Sequence, residues 1–443
     1  MSMPIPSSAP APAPAVPTPS VRFFPKAMHV IMTLCASLTL AASVNWANGV
    51  YVSALGMVFV GLLSLVFNAG STNKLEPLTG NEKWLLATWL LYPVFAGAVI
   101  LIRGNLDEGF FQESSRFLLI IPVFLTIRRY GLSMAFLRWG VLVGAVAAGV
   151  WGYYQKIILG IARPWGGTGQ HIAAFGNIAL LLGVLSIALW QPVWRTNWRW
   201  AIVPVIALSF GLFASLVSSN KGGWISLPFL IWLSTGLVDK PTVKKSVWVM
   251  CALVAAMVAV YFYNDSVRGR VSVILPAIYE YFVNGEVYDS SAGVRLALWH
   301  GSFLVFLDHP LWGVGFDGYR EAVKPFIASG QVPAVAGSYN PHSQFFDKLV
   351  VFGWMGPVLV FGIYFRFMKF CHSYRVEQKS LAIAGLMLAA GYIDFGLVEF
   401  VWYRNNMGVF FTMMMAIISG QLAYYNLNPV VAQGAGLVGD TSL

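Results

Sequence analysis

Val50–Ala69 reads VYVSALGMVFVGLLSLVFNA and Trp84–Ile102 reads WLLATWLLYPVFAGAVILI, and neither run holds a charged residue. Each is long enough to cross a hydrocarbon core of about 30 Å as a helix. Backbone N–H and C=O groups cannot stay unpaired in lipid, so such a run must be a helix or part of a closed barrel. A barrel strand alternates apolar and polar residues. These runs are continuous, which excludes the barrel. Met28–Ala47 and Val247–Phe262 repeat the pattern. The composition agrees: 58% of the 443 residues are hydrophobic and 10% charged, where a soluble domain carries roughly a quarter charged.

The sequence therefore predicts an all-α, polytopic membrane protein of about twelve transmembrane helices. The spans are expected near 27–48, 50–69, 83–102, 116–127, 132–158, 171–190, 200–218, 222–238, 246–263, 344–366, 380–399 and 405–425. Residues 1–26 form a Pro/Ala-rich tail (SSAPAPAPAVPTPS) whose composition cannot build a core and is expected to be disordered. Spans one to nine fill 27–263, a large loop 264–343, spans ten to twelve 344–425, and a second tail 426–443. The first apolar run is followed by further spans and has no convincing cleavage site, so it reads as a retained helix.

Orientation follows from Lys and Arg, which concentrate in cytoplasmic connections. They cluster in alternate turns, with Lys74 and Lys83, Arg128 and Arg129, Arg195 and Arg199, and Lys240, Lys244 and Lys245 on one side. That side is read as cytoplasmic, together with both termini, which places the loop in the periplasm. The formal net charge of +10 then reflects this bias and contact with anionic membrane lipids. No nucleic-acid motif accompanies it, so no nucleic-acid partner is expected. The three cysteines are far apart, which argues against a disulfide framework or a zinc site. The loop has no DxD, and the chain has no HExxH and no Walker motif, so neither a metal nor another cofactor is expected.

Within the loop, Ala292–Leu307 has a helical pattern too short and polar to span. It suits a helix lying on the membrane surface, apolar side down. His309-Pro310 should stop it, Gly313, Gly315 and Gly318 should turn the chain, and Asp317 can cap a second short helix reaching about Ile327. Span ten opens on Asn340-Pro341-His342. Asn suits an N-cap and Pro the first helical position, so His342 is expected in the first turn. There the helix dipole disfavours protonation, and a neutral imidazole can serve as a general base. The other reading is a helix-start histidine bonded to nearby backbone.

Arg163, Lys221, Arg268, Arg270 and Arg295 all fall on the external side. They could converge on a phosphate-bearing ligand or snorkel separately to lipid headgroups. Asp394, Glu399 and Arg404 bracket the last external turn. An acid at membrane depth is a functional candidate, yet Glu399 and Arg404 could equally be an ion pair joining two helices. His171 and His309 are weaker candidates.

The segment SSAGVRLALWHGSFLVFLDHPLWGVGFDGY, Ser290–Tyr319, followed by His342 before the next span, resembles the signature of the O-antigen ligase/polymerase superfamily. Topology extends the resemblance along the chain, with about twelve spans and a late periplasmic loop. The resemblance implies an inverting, metal-independent glycosyltransferase of the bacterial inner membrane. Its donor would be an undecaprenyl-pyrophosphate-linked glycan and, for an O-antigen ligase, its acceptor a sugar of lipid A–core. Arg295 matches the family arginine at the start of the loop helix and His342 the loop-end histidine. Lys221 stands where many members have Ser-Arg-Gly, which keeps the charge and loses the bidentate fork. Arg163 resembles the arginine before the Gly-rich entry to span six. His342 would take the acceptor proton while Arg295, Lys221, Arg163 and Arg268 or Arg270 hold the pyrophosphate. An O-antigen polymerase or O-oligosaccharyltransferase would share this fold. A flippase would instead place charges at the midplane, and a scaffold would need no Arg/His constellation.

Overall fold

The structure, a computed structural model, describes residues 19–431 apart from 47, 70–75, 105–107, 170, 220–221, 235–247, 249–250, 252–254, 256–257, 260, 264 and 430. Every regular element among these is helical. The long helices of the first half are α1 (Pro19–Ala42), α2 (Gly49–Ala69), α3 (Gly80–Arg103), α4 (Glu108–Tyr130), α5 (Met134–Tyr153), α6 (Ile172–Thr196) and α7 (Ile202–Val217), followed by the shorter α8 (Leu227–Ser234). The loop contributes α9 (Asp265–Ser272), α10 (Ile274–Tyr279), α11 (Ser291–Asp308), α12 (Tyr319–Ala322) and α13 (Lys324–Ala328). The chain ends with α14 (Gln344–Phe352), α15 (Met355–Ser373), α16 (Lys379–Val398) and α17 (Asn405–Leu427).

Eight helices among the described residues are long and apolar enough to cross a membrane: Pro25–Ala42, Gly49–Phe67, Gly80–Arg103, Met134–Ile158, Ile172–Thr196, Trp198–Val217, Lys379–Val398 and Asn405–Leu427. The chain is thus a polytopic all-helical membrane protein. Four of the expected spans fall outside this set. The fourth is longer than expected and carries Glu113, Arg116, Arg128 and Arg129. The eighth is described over 222–234, and most of the ninth lies outside the described residues, as do 1–18 and 432–443 of the tails, whereas 19–26, expected in the disordered tail, begin α1.

The tenth expected span, 344–366, is not one helix. It breaks at Gly353, whose φ of 65° and ψ of −149° belong to a region open essentially to glycine. A Cβ there would also lie 2.2 Å from Pro310 O. Gly353→Ala is expected to destabilise the fold by at least about 1–3 kcal/mol, measurable as a lowered melting temperature in detergent. A wild-type melting curve would contradict this account of the break.

The glycine-rich turn after α11 has a defined task. The last carbonyls of a helix lack intrahelical partners. Val350 O and Val351 O, at the end of α14, accept Val314 N at 2.8 Å and Gly315 N at 3.1 Å, and Pro310 O accepts Trp354 N at 2.9 Å. Close approach requires Gly313 (φ 59°), where a Cβ would stand 2.3 Å from Val350 O. The His-Pro-Leu-Trp-Gly-Val-Gly stretch therefore docks the loop onto α14.

The inward stripe of α11, including Ala297, Leu298, Gly301 and Val305, packs on Tyr319, Val323, Ala336 and Val350 in a small core of its own. One apolar stripe is thus buried inside the protein, while Phe303 and Leu307 remain exposed on the helix. Asp317 adopts φ 56° and precedes two short helices, α12 and α13, that part at Val323.

Polar contacts gather at the two ends of the bundle. At one end Arg128 Nε meets Glu82 Oε1 at 2.9 Å, Arg138 Nε donates to Leu189 O at 2.9 Å and Arg366 Nη2 to Asn81 O at 2.7 Å. Glu82 and Thr79 also form a capping box that starts α3. These are the Lys/Arg-rich turns read from the sequence as one side. The other end carries α11, the α16–α17 turn and the start of α4.

Candidate active site

The site grows from the turn between α16 and α17. Its first residue, Glu399, is extended (φ −150°, ψ 151°) just beyond α16. Three hydrogen bonds sew this turn to the start of α14: Gln344 N to Glu399 O at 3.1 Å, Trp402 N to Gln344 Oε1 at 2.9 Å, and Ser343 Oγ to Gly396 O at 3.2 Å. These bonds explain a departure from expectation. α14 starts at Gln344 after an N-cap at Ser343, so His342 lies outside the first turn. The ties on residues 343 and 344 force the chain to kink one residue earlier, and His342 takes φ 49°. A non-glycine residue there is strained by roughly 1–3 kcal/mol, a cost that gathers at functional sites. Asn340 and Pro341 do not cap the helix, and the expected dipole effect on a first-turn imidazole is replaced by a side-chain partner.

That partner is Glu399. Its Oε1 lies 3.7 Å from His342 Nδ1 and 3.5 Å from Arg404 Nε. The carboxylate side chain is 12% exposed, whereas His342 is 30% and Arg404 28% exposed, so the anion is covered and its cationic partners face outward. Arg404 also stacks over the Phe400 ring at 4.4 Å, and the His342 ring lies 5.5 Å from the same phenyl. Burial pushes the Glu399 carboxyl up, but His342 first and Arg404 second outweigh it and hold it below its ordinary value.

Two more elements reach this charge. Arg295 lies in the first turns of α11, one helical turn before Trp299, which stacks on Phe346 of α14 at 5.4 Å. Burial lowers the guanidinium's pKa and the Glu399 charge raises it, with a net lowering; arginine nonetheless stays cationic. His171, the residue before α6, is lowered by partial burial and then by Arg404, against an opposing effect of Glu399. Its neutral imidazole is favoured. Glu399, Arg404, His342, Arg295 and His171 therefore share one electrostatic neighbourhood although the chain separates them by up to 233 positions (404 − 171 = 233).

The other candidates make different contacts or lie outside the described residues. Arg163 points its Nε to Ser218 O, 3.5 Å away, at the end of α7, and its loop ends at His171. Lys221 lies outside the described residues, as does the side chain of Arg270. Arg268 is engaged by Asp265 at 2.5 Å and Phe262 O at 3.3 Å on its own exposed stretch. His309 closes α11 beside Asp308 at 3.4 Å. Among the described residues no three His, Cys, Asp or Glu side chains are grouped to hold a metal ion.

Sequence reasoning missed a buried layer under the site. Lys348 Nζ, fully buried, meets Glu113 Oε2 at 2.6 Å and Asp347 Oδ2 at 2.8 Å. One turn further along α4, buried Arg116 donates to Trp402 O and Asn405 Oδ1. Glu113 thus grips α14, below His342, and Arg116 grips the turn that carries Arg404. The available signal was an acid and a base three residues apart entering an apolar run, since charges at membrane depth need partners.

A curated protein of Haemophilus influenzae, named only "Uncharacterized protein", is 21% identical to the chain over 370 residues, covering 82% of this chain and 92% of that one. The sequence model of the family described as O-Antigen ligase matches residues 206–361. Arg295 and His342 fall inside this match; Arg163, His171, Glu399 and Arg404 lie outside it. The resemblance read from the loop motif is supported: residues 206–361, which contain that motif, are similar to the family described as O-Antigen ligase.

Proposed function

We propose that the protein transfers a glycan from undecaprenyl pyrophosphate to a sugar hydroxyl of lipid A–core, at the periplasmic face of the bacterial inner membrane. The O-antigen ligase domain supports ligase- or polymerase-type glycan transfer on lipid-linked substrates. The observation that carries the finer reading is the largely covered Glu399 carboxylate beside His342 and Arg404, with its charge also felt by Arg295 and His171.

In this mechanism Glu399 orients His342. A carboxylate facing Nδ1 favours the proton there and leaves Nε2 as the base. The 3.7 Å separation is too long for a hydrogen bond, and such contacts commonly tighten only when substrate binds. His342 then accepts the acceptor hydroxyl proton as the oxygen attacks the anomeric carbon from the face opposite the pyrophosphate, inverting it. Half-buried Arg295 and partly exposed Arg404 stabilise charge on the departing pyrophosphate. Arg163, whose Nε lies 3.5 Å from Ser218 O at the end of α7, is proposed with Lys221 to hold the lipid-proximal phosphate. A pyrophosphate leaving group is already activated, so no metal takes part.

Glu399 gives a pH signature. A carboxyl whose folded-state pKa is depressed adds stability above its unfolded value and loses it as pH falls through the folded value. The stability gap between wild type and Glu399→Gln is therefore expected to be open at neutral pH and to close progressively below the ordinary Glu value of about 4.3. Thermal unfolding across that range checks it, and a gap independent of pH would contradict the charge assignment.

The acceptor assignment is tested by giving purified protein the lipid-linked glycan with and without lipid A–core. Product only on the core supports the ligase. Lengthening of the glycan on its carrier without core would identify a polymerase instead.

A further inference from the structure

Between the expected ninth span and α11 lies a stretch that the catalytic reading does not use. α10 runs into a π-turn, Glu280–Asn284, giving a continuous helical stretch. Ile274, Leu275, Ile278, Tyr279, Phe282 and Val283 are 44%, 76%, 42%, 58%, 72% and 62% exposed, whereas Ala277 and Tyr281 are buried. Positions 275, 278, 279 and 282 share one helical face, and 277 and 281 lie on another. The inner stripe is fastened to the loop helix: Tyr281 Oη and His300 Nδ1 are 2.8 Å apart and their rings meet edge-on. The outer stripe is apolar and aromatic along its whole length.

A contiguous apolar face of this size marks a contact surface, and chain geometry says what it meets. Ile274 follows Tyr263 by eleven positions (274 − 263 = 11), which as helix rise spans no more than about 17 Å. Phe262 and Tyr263 are themselves 62% and 91% exposed, at the end of the expected ninth span. Exposed Arg268, paired with exposed Asp265, lies between, a charged step that suits the headgroup layer. Aromatic residues with a flanking cation and a one-sided apolar stripe are the chemistry of a helix lying in the membrane interface.

We propose that residues 274–283 lie in the interfacial layer of the bilayer, on the side that carries Glu399, with the outer stripe in the acyl boundary. The Tyr281–His300 contact then holds α11, and with it Arg295, at a fixed depth against the membrane surface.

Spin labels placed on the full-length protein in phosphatidylethanolamine/phosphatidylglycerol nanodiscs test this, with Cys35, Cys251 and Cys371 replaced by alanine. Leu275→Cys and Phe282→Cys labels should collide with oxygen several-fold more readily than with a water-soluble nickel chelate. A label at Gln331→Cys, on the exposed loop, should show the reverse preference. Nickel accessibility at 275 and 282 equal to that at 331 would overturn the proposal by placing the stripe in water. Shielding from both reagents would overturn it in favour of a covering protein surface. If a labelled variant fails to fold, Ile278→Cys or Tyr279→Cys on the same face replaces it.

Discussion

His342→Asn is expected to slow glycan transfer by a factor of about 10²–10⁴, the usual contribution of a positioned general base. Asparagine is the informative replacement because His342 sits at φ 49°, and asparagine tolerates the left-handed region better than most residues. The backbone kink between Pro341 and Ser343 is therefore retained and the loss is chemical. His342→Ala should lose as much activity and some stability as well. Single-turnover transfer with saturating donor separates the two effects, since the proposed mechanism assigns donor affinity to Arg295 and its fellow cations. A rate within tenfold of wild type in both variants would remove His342 from the base role.

Lys348→Ala is expected to produce the largest loss of stability, about 3–5 kcal/mol, because removing one member of a buried ion pair strands the other. Here it strands two carboxylates, Glu113 at 1% and Asp347 at 14% exposure. Glu113→Ala should cost less, since Lys348 keeps Asp347 at 2.8 Å. The double variant Glu113→Leu/Lys348→Met should recover much of the loss, as buried pairs replaced by apolar residues of similar volume often do. Thermal and denaturant unfolding in detergent check the order. A Lys348→Ala protein as stable as wild type would mean that water reaches the pair.

The helical, membrane-spanning character of the chain was legible because a continuous apolar run has few physical outcomes in lipid. The loop motif was legible because its glycines and His-Pro step make a backbone turn that few other residues can form. The break at Gly353 was not, since VVFGWMGP is apolar on both sides and hydropathy does not register a φ of 65°. His342 was found as a residue and misplaced by three positions relative to its helix (N-cap 343 against 340), because the bonds that kink the chain come from Gly396, Glu399 and Trp402, far along the sequence. The Lys348–Glu113 pair spans 235 positions and could be sensed only as two charges that needed partners. Glu399 and Arg404 were visible as an ion pair; that they also face His342 and Arg295 is a property of folding alone. The interfacial stripe at 274–283 was passed over because it is too short to span and lies beside a stronger motif.

The most direct test is transfer of labelled glycan from undecaprenyl pyrophosphate to lipid A–core by purified protein in proteoliposomes containing EDTA, with Arg295→Ala run in parallel. Wild type is expected to build product on the core, and Arg295→Ala to do so about 10²–10³-fold more slowly, the effect of removing one stabiliser of developing charge. Wild-type protein that binds the donor but places nothing on the core, or equal rates in the two proteins, would contradict the assignment of glycan transfer to the Glu399 cluster.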